Sequence, residues 1–504
     1  MINTVLVVGA GIMGVGIAQV AAQSNHRVYL LDSRVGVSAQ AKGKLNATLE
    51  TLVAKEKITR EAATTTLAAI IPIDSIASLG DQIHGIDLVI EAIVEDLAAK
   101  RGLFQELEKT VRTDCILASN TSSISITAIA NGLKHPGRMV GMHFFNPVPL
   151  MKLVEVVAGL QTDASAIASI VKLSSTWGKT PVNARSTPGF IVNRIARPYY
   201  AETLALLQEQ AATSVVIDAC LRSAGFRMGP CELIDLIGHD TNFAVTCSVY
   251  EANFYDKRYV PSLVQREMVD GGLLGRKSGR GFFSYGADAV KPSLASFKPT
   301  ISAEQIGKLI VHGSGHIADR FASGLTKSHT MFERDENSPW IGVSINGHRM
   351  QLSNGLTATF AAKQLMAKQS AVVDLPLNLE PNSATAFAVS ANCQPDWPIQ
   401  VANLLALMGF NPQHIRDVPG LIVTRTIAML INEAADAVHQ GVCTSGDADA
   451  AMKLGVNYPA GPFEWLAQWN AQSVIDVLDG LDNHYRGERY RVSPWLLERV
   501  ISAN

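Results

Sequence analysis

Residues 4–32 constrain the fold more tightly than any other stretch of this 504-residue chain. Thr4–Val8 is β-branched and apolar, which is a strand signal. Gly9-Ala10-Gly11-Ile12-Met13-Gly14 follows and runs into Val15–Ala22, which reads as a helix. A second strand, Arg27–Leu31, then ends in Asp32. In such a unit Gly9 permits the tight turn, Gly11 lets the backbone approach a pyrophosphate, and Gly14 lets helix and strand pack closely. The helix N-terminus faces the phosphates. Asp32 stands eighteen residues past Gly14, where it can bind ribose hydroxyls and would repel a 2′-phosphate. The expected cofactor is NAD rather than NADP, although Arg34 lies close by. A lone glycine pattern is weak evidence; the strands and the acid around it make it specific.

The alternation of strand and helix continues to about residue 182. Strands are predicted over Ala69–Ile73, Ile86–Ile90, Cys115–Ser119, Met139–His143 and Leu153–Val157, with amphipathic helices such as Lys100–Val111 between them. That pattern makes a doubly wound α/β sheet, whose active groups collect at the C-terminal ends of the strands. Glu91, Glu95 and Ser119-Asn120-Thr121-Ser122-Ser123 fall there. Such a Ser/Thr/Asn cluster is usually only a turn and a helix cap, but at this edge it becomes a site candidate. The sharper candidate is His143-Phe-Phe-Asn146-Pro-Val-Pro-Leu-Met-Lys152-Leu-Val-Glu155. A proline-rich reversal joins two short apolar runs, so Glu155 can reach His143. An imidazole held in one tautomer by a carboxylate is a general base poised near neutral pH.

From Thr187-Pro-Gly-Phe-Ile-Val-Asn193-Arg194 onward the chain turns helical, with Ile191–Gln210 and Ser214–Ala224 carrying apolar residues at helical spacing. This part closes on a basic glycine-rich loop, Gly275-Arg-Lys277-Ser-Gly279-Arg-Gly281-Phe-Phe-Ser-Tyr285. The loop is either a solvated turn or a segment folded onto an anionic ligand. An internal repeat follows: Pro188-Gly-Phe-Ile-Val-Asn-Arg194 recurs as Pro419-Gly-Leu-Ile-Val-Thr-Arg425, Glu202 matches Glu433, and Asp218 matches Asp449. One residue of drift aligns Gly229-Pro-Cys-Glu232 with Gly461-Pro-Phe-Glu464. The second copy has Thr424 in place of Asn193 and no basic glycine loop, so it reads as a copy retained for packing. Between the copies, Ile341–His348 reads as a strand entering an Asn-Gly turn, and Ala371–Leu375 and Ala386–Val389 as further strands. No glycine fingerprint and no cluster of titratable groups is read there. The expected organisation is a Rossmann domain over 1–184, a helical domain over 185–285, a small mixed α/β segment over 300–400 and a second, degenerate helical domain over 401–504, with 286–299 as a linker.

Net charge is −2, and no Lys/Arg-rich run stands out, so nothing recruits nucleic acid. The six cysteines form no CxxC pair and no metal-ligand spacing with histidine, which fits small buried residues in a reducing cytoplasm and no metal. Met1 leads almost at once into the first strand, so no signal peptide is expected, and no apolar run reaches the length of a membrane span.

Together the glycine turn, the His143–Glu155 hairpin and the Pro-Gly-Phe-Ile-Val-Asn-Arg segment make the chain resemble the L-3-hydroxyacyl-CoA dehydrogenases. The likeness is close over 1–285 and looser over 400–504. The tandem layout, with Asn193-Arg-Ile-Ala-Arg197-Pro-Tyr-Tyr, is most similar to bacterial members that oxidise 3-hydroxyadipyl-CoA in phenylacetate breakdown. The resemblance implies NAD-linked oxidation of a (3S)-3-hydroxyacyl-CoA to the 3-ketoacyl-CoA. His143 would be the base, Glu155 its orienting partner, and Ser122 and Asn193 the ligands of the substrate oxygens. It further implies Glu95, Lys100, Asn120 and Lys277 near the cofactor, and Thr48 and Lys55 near coenzyme A. Arg197 stands four residues after Asn193, so on a continuous helix both would share a face. Its guanidinium is expected to meet the distal carboxylate of a dicarboxylyl-CoA, the alternative being an ion pair with Glu202 or Glu232. Relatives with one helical domain pair through it, so the duplicate is expected to cover that surface from within the chain, with a homo-oligomer left open. Two rival readings remain: a short-chain 3-hydroxybutyryl-CoA dehydrogenase, sharing every catalytic residue, and a nucleotide-binding protein without catalysis.

Overall fold

The computed structural model describes residues 2–286, 289–290, 293–301, 305–377 and 380–503. It divides into two compact units, Met1–Arg194 with Gln440–Val456, and Ile195–His439 with Asn457–Asn504.

The first unit is built on eight strands: β1 (Thr4–Val8), β2 (Arg27–Leu31), β3 (Ile70–Ile73), β4 (Leu88–Glu91), β5 (Ile116–Ser119), β6 (Met139–Phe144), β7 (Leu153–Ala158) and β8 (Thr180–Arg185). Their order is β3-β2-β1-β4-β5-β6-β7-β8, with neighbours parallel except β6 and β7, which run antiparallel. Val5, Leu6, Val7, Val89 and Ile90 are fully buried, as expected where a parallel sheet is covered on both faces. The winding reverses between β1 and β4, and doubly wound sheets take their ligands in the crevice at that point. Strand β8 was not foreseen. Its alternating exposure and Pro181 suit a sheet edge and leave no apolar run to detect. The helix Ser445–Val456 also belongs to this unit, close enough that a Cβ on Gly455 would lie 2.7 Å from the Leu153 side chain.

The expected helix Ile191–Gln210 is broken into Val192–Ile195 and Arg197–Gln208. Pro198 has no N–H for the Arg194 carbonyl, so the ladder stops at Ala196 and restarts with proline in the first turn. Asn193 and Arg197 therefore lie on separate helical segments, and the shared-face argument for Arg197 falls. The two helical copies keep matching punctuation: Gly229 and Gly461 are the N-caps of Pro230–Ile237 and Pro462–Trp469.

The middle segment is larger than expected. Strands β9 (Leu309–His312), β10 (Glu333–Asp335), β11 (Gly342–Ile345), β12 (His348–Leu352), β13 (Ser370–Val373), β14 (Ser383–Val389) and β15 (Phe410–His414) form a sheet ordered β10-β9-β11-β12-β13-β14-β15. It runs past residue 400, so the helix Trp397–Leu407 and β15 complete this sheet and do not open the second helical copy. It also carries a glycine turn that the sequence reading missed. Strand β9 enters Gly313-Ser-Gly315-His-Ile-Ala318, a helix His316–Lys327 follows, and β10 ends at Asp335. Alanine in the third glycine place hid the pattern. Strand for strand the order matches the first sheet without β3, with β10, β9 and β11–β15 standing for β2, β1 and β4–β8. Two pairings differ: β11 is antiparallel to both β9 and β12, whereas β4 is parallel to both β1 and β5. The expected 286–299 linker includes 287–288 and 291–292, which lie outside the described residues.

Candidate active site

The antiparallel step between β6 and β7 sets His143 directly opposite Glu155. The imidazole Nδ1 lies 2.6 Å from Glu155 Oε2. Glu155 is 0% exposed and His143 6%. The other carboxylate oxygen, Oε1, accepts from the backbone N–H groups of Ile191 at 2.9 Å and Val192 at 3.0 Å. With the two N–H groups fixing Oε1, Oε2 faces Nδ1; the tautomer in which Nδ1–H donates to it leaves the Nε2 lone pair open. Phe145 and Phe190 flank the ring, with centroids 4.5 and 6.0 Å away. The reversal between the strands includes a cis Asn146–Pro147 bond.

A second group gathers on the turn after β5. Glu95 Oε1 accepts from the Thr121 hydroxyl at 2.6 Å, from the N–H groups of Ser122 at 3.0 Å and Ser123 at 3.1 Å, and from the Ser123 hydroxyl at 3.0 Å. Burial pushes the Glu95 carboxyl upward, but the Thr121 hydroxyl, the Lys100 ammonium and these N–H groups outweigh it and hold it below its ordinary value. The Asn193 amide donates to the Ser122 carbonyl at 3.4 Å. Asn120 accepts the Phe144 N–H at 2.9 Å through its side-chain oxygen, which ties β5 to the end of β6 beside His143.

The glycine turn has the shape its spacing implied. A Cβ on Gly9 would lie 2.4 Å from the Ala92 carbonyl and one on Gly14 1.8 Å from the Gly9 carbonyl, while Gly11 faces open space. Asp32 accepts from the Ala10 N–H and from Arg34, each at 3.1 Å. Burial raises its carboxyl, but Arg34 and the backbone donors hold it below the usual aspartate value. These residues fit the ribose and phosphates of NAD. A cleft of about 510 Å³ adjoins the turn, lined by Ala10, Gly11, Arg34, Lys44, Thr48 and Asn146 among others.

The remaining sequence candidates fall elsewhere. Thr48 lines the cleft; Lys55 caps the far end of that helix and is not among its lining residues. Lys100, expected near the cofactor, is 1% exposed and paired with Glu91 at 2.6 Å and Glu95 at 3.3 Å. Lys277 belongs to the second unit and pairs with Asp240. Its loop is folded onto a carboxylate: Asp235 accepts the N–H groups of Phe282 and Phe283 and the Tyr285 hydroxyl, each at 2.9 Å. Arg197, also in the second unit, is 7% exposed, lies over the Tyr200 ring at 4.9 Å and reaches the Thr246 hydroxyl at 3.4 Å. Glu202 is engaged by Arg425 and Arg489, and Glu232 by Arg222 and Arg276. Missed in the sequence were the Ile191 and Val192 N–H groups, the role of Glu91 and the cleft position of Asn146; the proline after Asn146 was the only signal for the last. Among the described residues no group of three or more His, Cys, Asp or Glu could hold a metal ion, and no helix is long and apolar enough to cross a membrane.

A dinucleotide turn and a carboxylate-held imidazole at the C-terminal ends of one sheet define a nicotinamide-dependent dehydrogenase acting on an alcohol. Comparison with known proteins narrows the class. The NAD-binding domain of 3-hydroxyacyl-CoA dehydrogenase matches residues 4–187, its C-terminal domain matches 189–285 and again 420–504, and the reduced Rossmann-fold domain of 3-hydroxybutyryl-CoA dehydrogenase matches 350–419. The chain is 40% identical to 3-hydroxyadipyl-CoA dehydrogenase of Escherichia coli (strain K12), over 99% of its own length and 98% of that protein. It shares 40% identity with mitochondrial hydroxyacyl-coenzyme A dehydrogenase of Sus scrofa over 56% of its length and 92% of that protein. The crystal structure of 3-hydroxybutyryl-CoA dehydrogenase from Escherichia coli K12 substr. MG1655 superposes with a TM-score of 0.89 at 40% identity, covering 100% of this chain and 99% of that one. The chain belongs to the 3-hydroxyacyl-CoA dehydrogenase family, NAD-dependent enzymes that oxidise 3-hydroxyacyl-CoA.

Proposed function

We propose that this enzyme oxidises (3S)-3-hydroxyadipyl-CoA to 3-oxoadipyl-CoA in the cytoplasm, with His143 as the base. The observation that carries the chemistry is the 2.6 Å contact between His143 Nδ1 and Glu155. It leaves Nε2 free to take the proton from the substrate's 3-hydroxyl. Bound NAD supplies the hydride acceptor. Glu155 stabilises the imidazolium that forms, and its two backbone donors keep it from turning away. Ser122 and Asn193, already joined by a hydrogen bond, hold the substrate oxygens so that C3 stays in line with His143. Base assistance is worth roughly 10²–10⁴ in rate, and positioning supplies the larger share. Coenzyme A would lie along the cleft, whose wall includes Lys44 and Thr48.

The adipyl chain is the finer part of this reading. It is supported by the full-length likeness to a 3-hydroxyadipyl-CoA dehydrogenase and by Arg197, a desolvated guanidinium. A guanidinium suits a carboxylate bidentately. Replacing Arg197 by Leu should raise KM for 3-hydroxyadipyl-CoA at least about tenfold and change KM for 3-hydroxybutyryl-CoA far less. The assay is NADH absorbance with both substrates side by side, and equal losses on the two would defeat the assignment. The second reading, a short-chain enzyme, is favoured by the likeness to a 3-hydroxybutyryl-CoA dehydrogenase structure. It predicts that the unaltered protein turns over the butyryl substrate more efficiently.

A further inference from the structure

The ends of β1, β4 and β5 stand in register, with Val8, Glu91 and Ser119 side by side. Glu91 is therefore at the middle of the crevice, between the glycine turn and the turn that carries Ser122. It is 0% exposed, and both of its oxygens are occupied. Oε2 accepts from the Ser119 hydroxyl at 2.6 Å, while Oε1 accepts from the Lys100 ammonium and the Ile93 N–H, each at 2.6 Å. Lys100 continues the chain to Glu95 Oε2 at 3.3 Å, and the opposite oxygen of Glu95 holds the N–H groups of Ser122 and Ser123. The backbone adds a third tie, from the Asn120 N–H to the Glu91 carbonyl at 2.8 Å. Glu91 thus grips the Ser119–Ser123 turn from below through Ser119 and from the side through Lys100 and Glu95.

The charges explain why the arrangement is sensitive. A buried ammonium between two carboxylates is held more strongly by the nearer one, and here that is Glu91. Glu95 has a partly exposed side chain and is the less confined of the two carboxylates. Without a charge at position 91, Lys100 has Glu95 as its remaining carboxylate and draws it inward, and the oxygen that orients Ser122 goes with it.

We propose that Glu91 is a positioning residue for the dehydrogenase reaction, setting the Ser122 turn through Lys100 and Glu95. The inference rests on the reading that Ser122 binds the substrate oxygen, and the experiment separates the two. In Glu91→Gln, kcat should fall about tenfold or more, since small misplacements near the reacting atoms cost up to about 10²-fold, while the NAD dissociation constant stays within about twofold. The double variant Glu91→Gln/Lys100→Met removes the unbalanced ammonium and should recover part of that kcat, which a purely structural role for Glu91 would not allow. Ser119→Ala, a milder change, should lower kcat about threefold with NAD binding intact and decides the matter if Glu91→Gln does not fold. An unchanged kcat in Glu91→Gln, or a loss matched by lost NAD affinity, or a double variant no better than the single one overturns the proposal. Ser122→Ala serves as the reference: if it leaves kcat untouched, the role of Ser122 fails; if it lowers kcat while both Glu91→Gln and Ser119→Ala do not, only the inference about Glu91 fails.

Discussion

At the scale of single residues, the base is set by what the carboxylate beside it is already doing. Glu155 spends one oxygen on His143 and the other on the Ile191 and Val192 N–H groups, so it cannot rotate without breaking one of these contacts. Glu155→Gln tests this. An amide must present NH₂ on one side, either to the two backbone donors or to Nδ1, and facing Nδ1 it would force the proton onto Nε2. The expected loss in kcat is about 10²–10⁴-fold, with the NAD dissociation constant unchanged; retention of kcat within about tenfold would mean the tautomer is set some other way. The pairing of His143 with Glu155 was legible in the sequence because one proline-rich reversal joins the two strands that carry it. The donors that fix Glu155 were not, since backbone N–H groups from a distant turn have no residue signature. The buried pairing of Lys100 with Glu91 and Glu95 was likewise not legible, since partners that meet only in the fold leave no local pattern.

At the scale of elements, the second sheet shows what a strand pair keeps when its chemistry is lost. Glu155 pairs across β7 and β8 with Val182, and Pro188 follows six residues later; Ala386 pairs across β14 and β15 with Gln413, and Pro419 follows six residues later. Ala386 therefore holds the place of Glu155. Asp374, whose N–H donates to the Ala386 carbonyl, holds the place of His143. Its carboxylate accepts the N–H groups of Ile422, Val423 and Thr424, in the turn equivalent to the one that Glu155 holds. The anchoring function has crossed to the neighbouring strand while the base has disappeared. Asp374→Ala leaves those buried donors unpaired and should destabilise the fold by at least about 3 kcal/mol. A thermal melt would show it as a lowered midpoint, and kcat measured below the transition should be unaffected; an unchanged midpoint would deny Asp374 the anchoring role. The helical repeat was readable because its Pro-Gly turn and caps recur in register. The sheet before it was only partly readable, because strands of three to seven residues carry little periodicity and Ala318 breaks the glycine pattern.

At the scale of the whole chain, two sheets with one strand order raise the question of how many dinucleotides are bound. Both begin with a strand, a glycine turn, a helix and a strand that ends in an acid, Asp32 in one and Asp335 in the other. The difference lies in the strand that follows. In the first sheet β4 runs parallel to β1 and sends its C-terminal end, with Glu91, to the crevice. In the second, β11 runs antiparallel to β9, so the segment leading into it reaches the glycine turn instead. Trp340 in that segment stacks on His312 with ring centroids 4.2 Å apart, the Arg349 guanidinium lies 4.2 Å over the Trp340 ring, and a Cβ on Gly313 would sit 2.8 Å from the Trp340 carbonyl. At Gly315, the place of Gly11, a Cβ would meet nothing within 4 Å, so what sets this turn apart is the Trp340 segment beside it. Calorimetric titration with NAD should therefore give one site per chain. Gly11→Val provides the control: its Cβ meets nothing within 4 Å, so the fold should tolerate the change while the side chain blocks the close approach of the cofactor. All binding heat should vanish in that variant, and a stoichiometry near two, or heat surviving the substitution, would mean the second turn still binds.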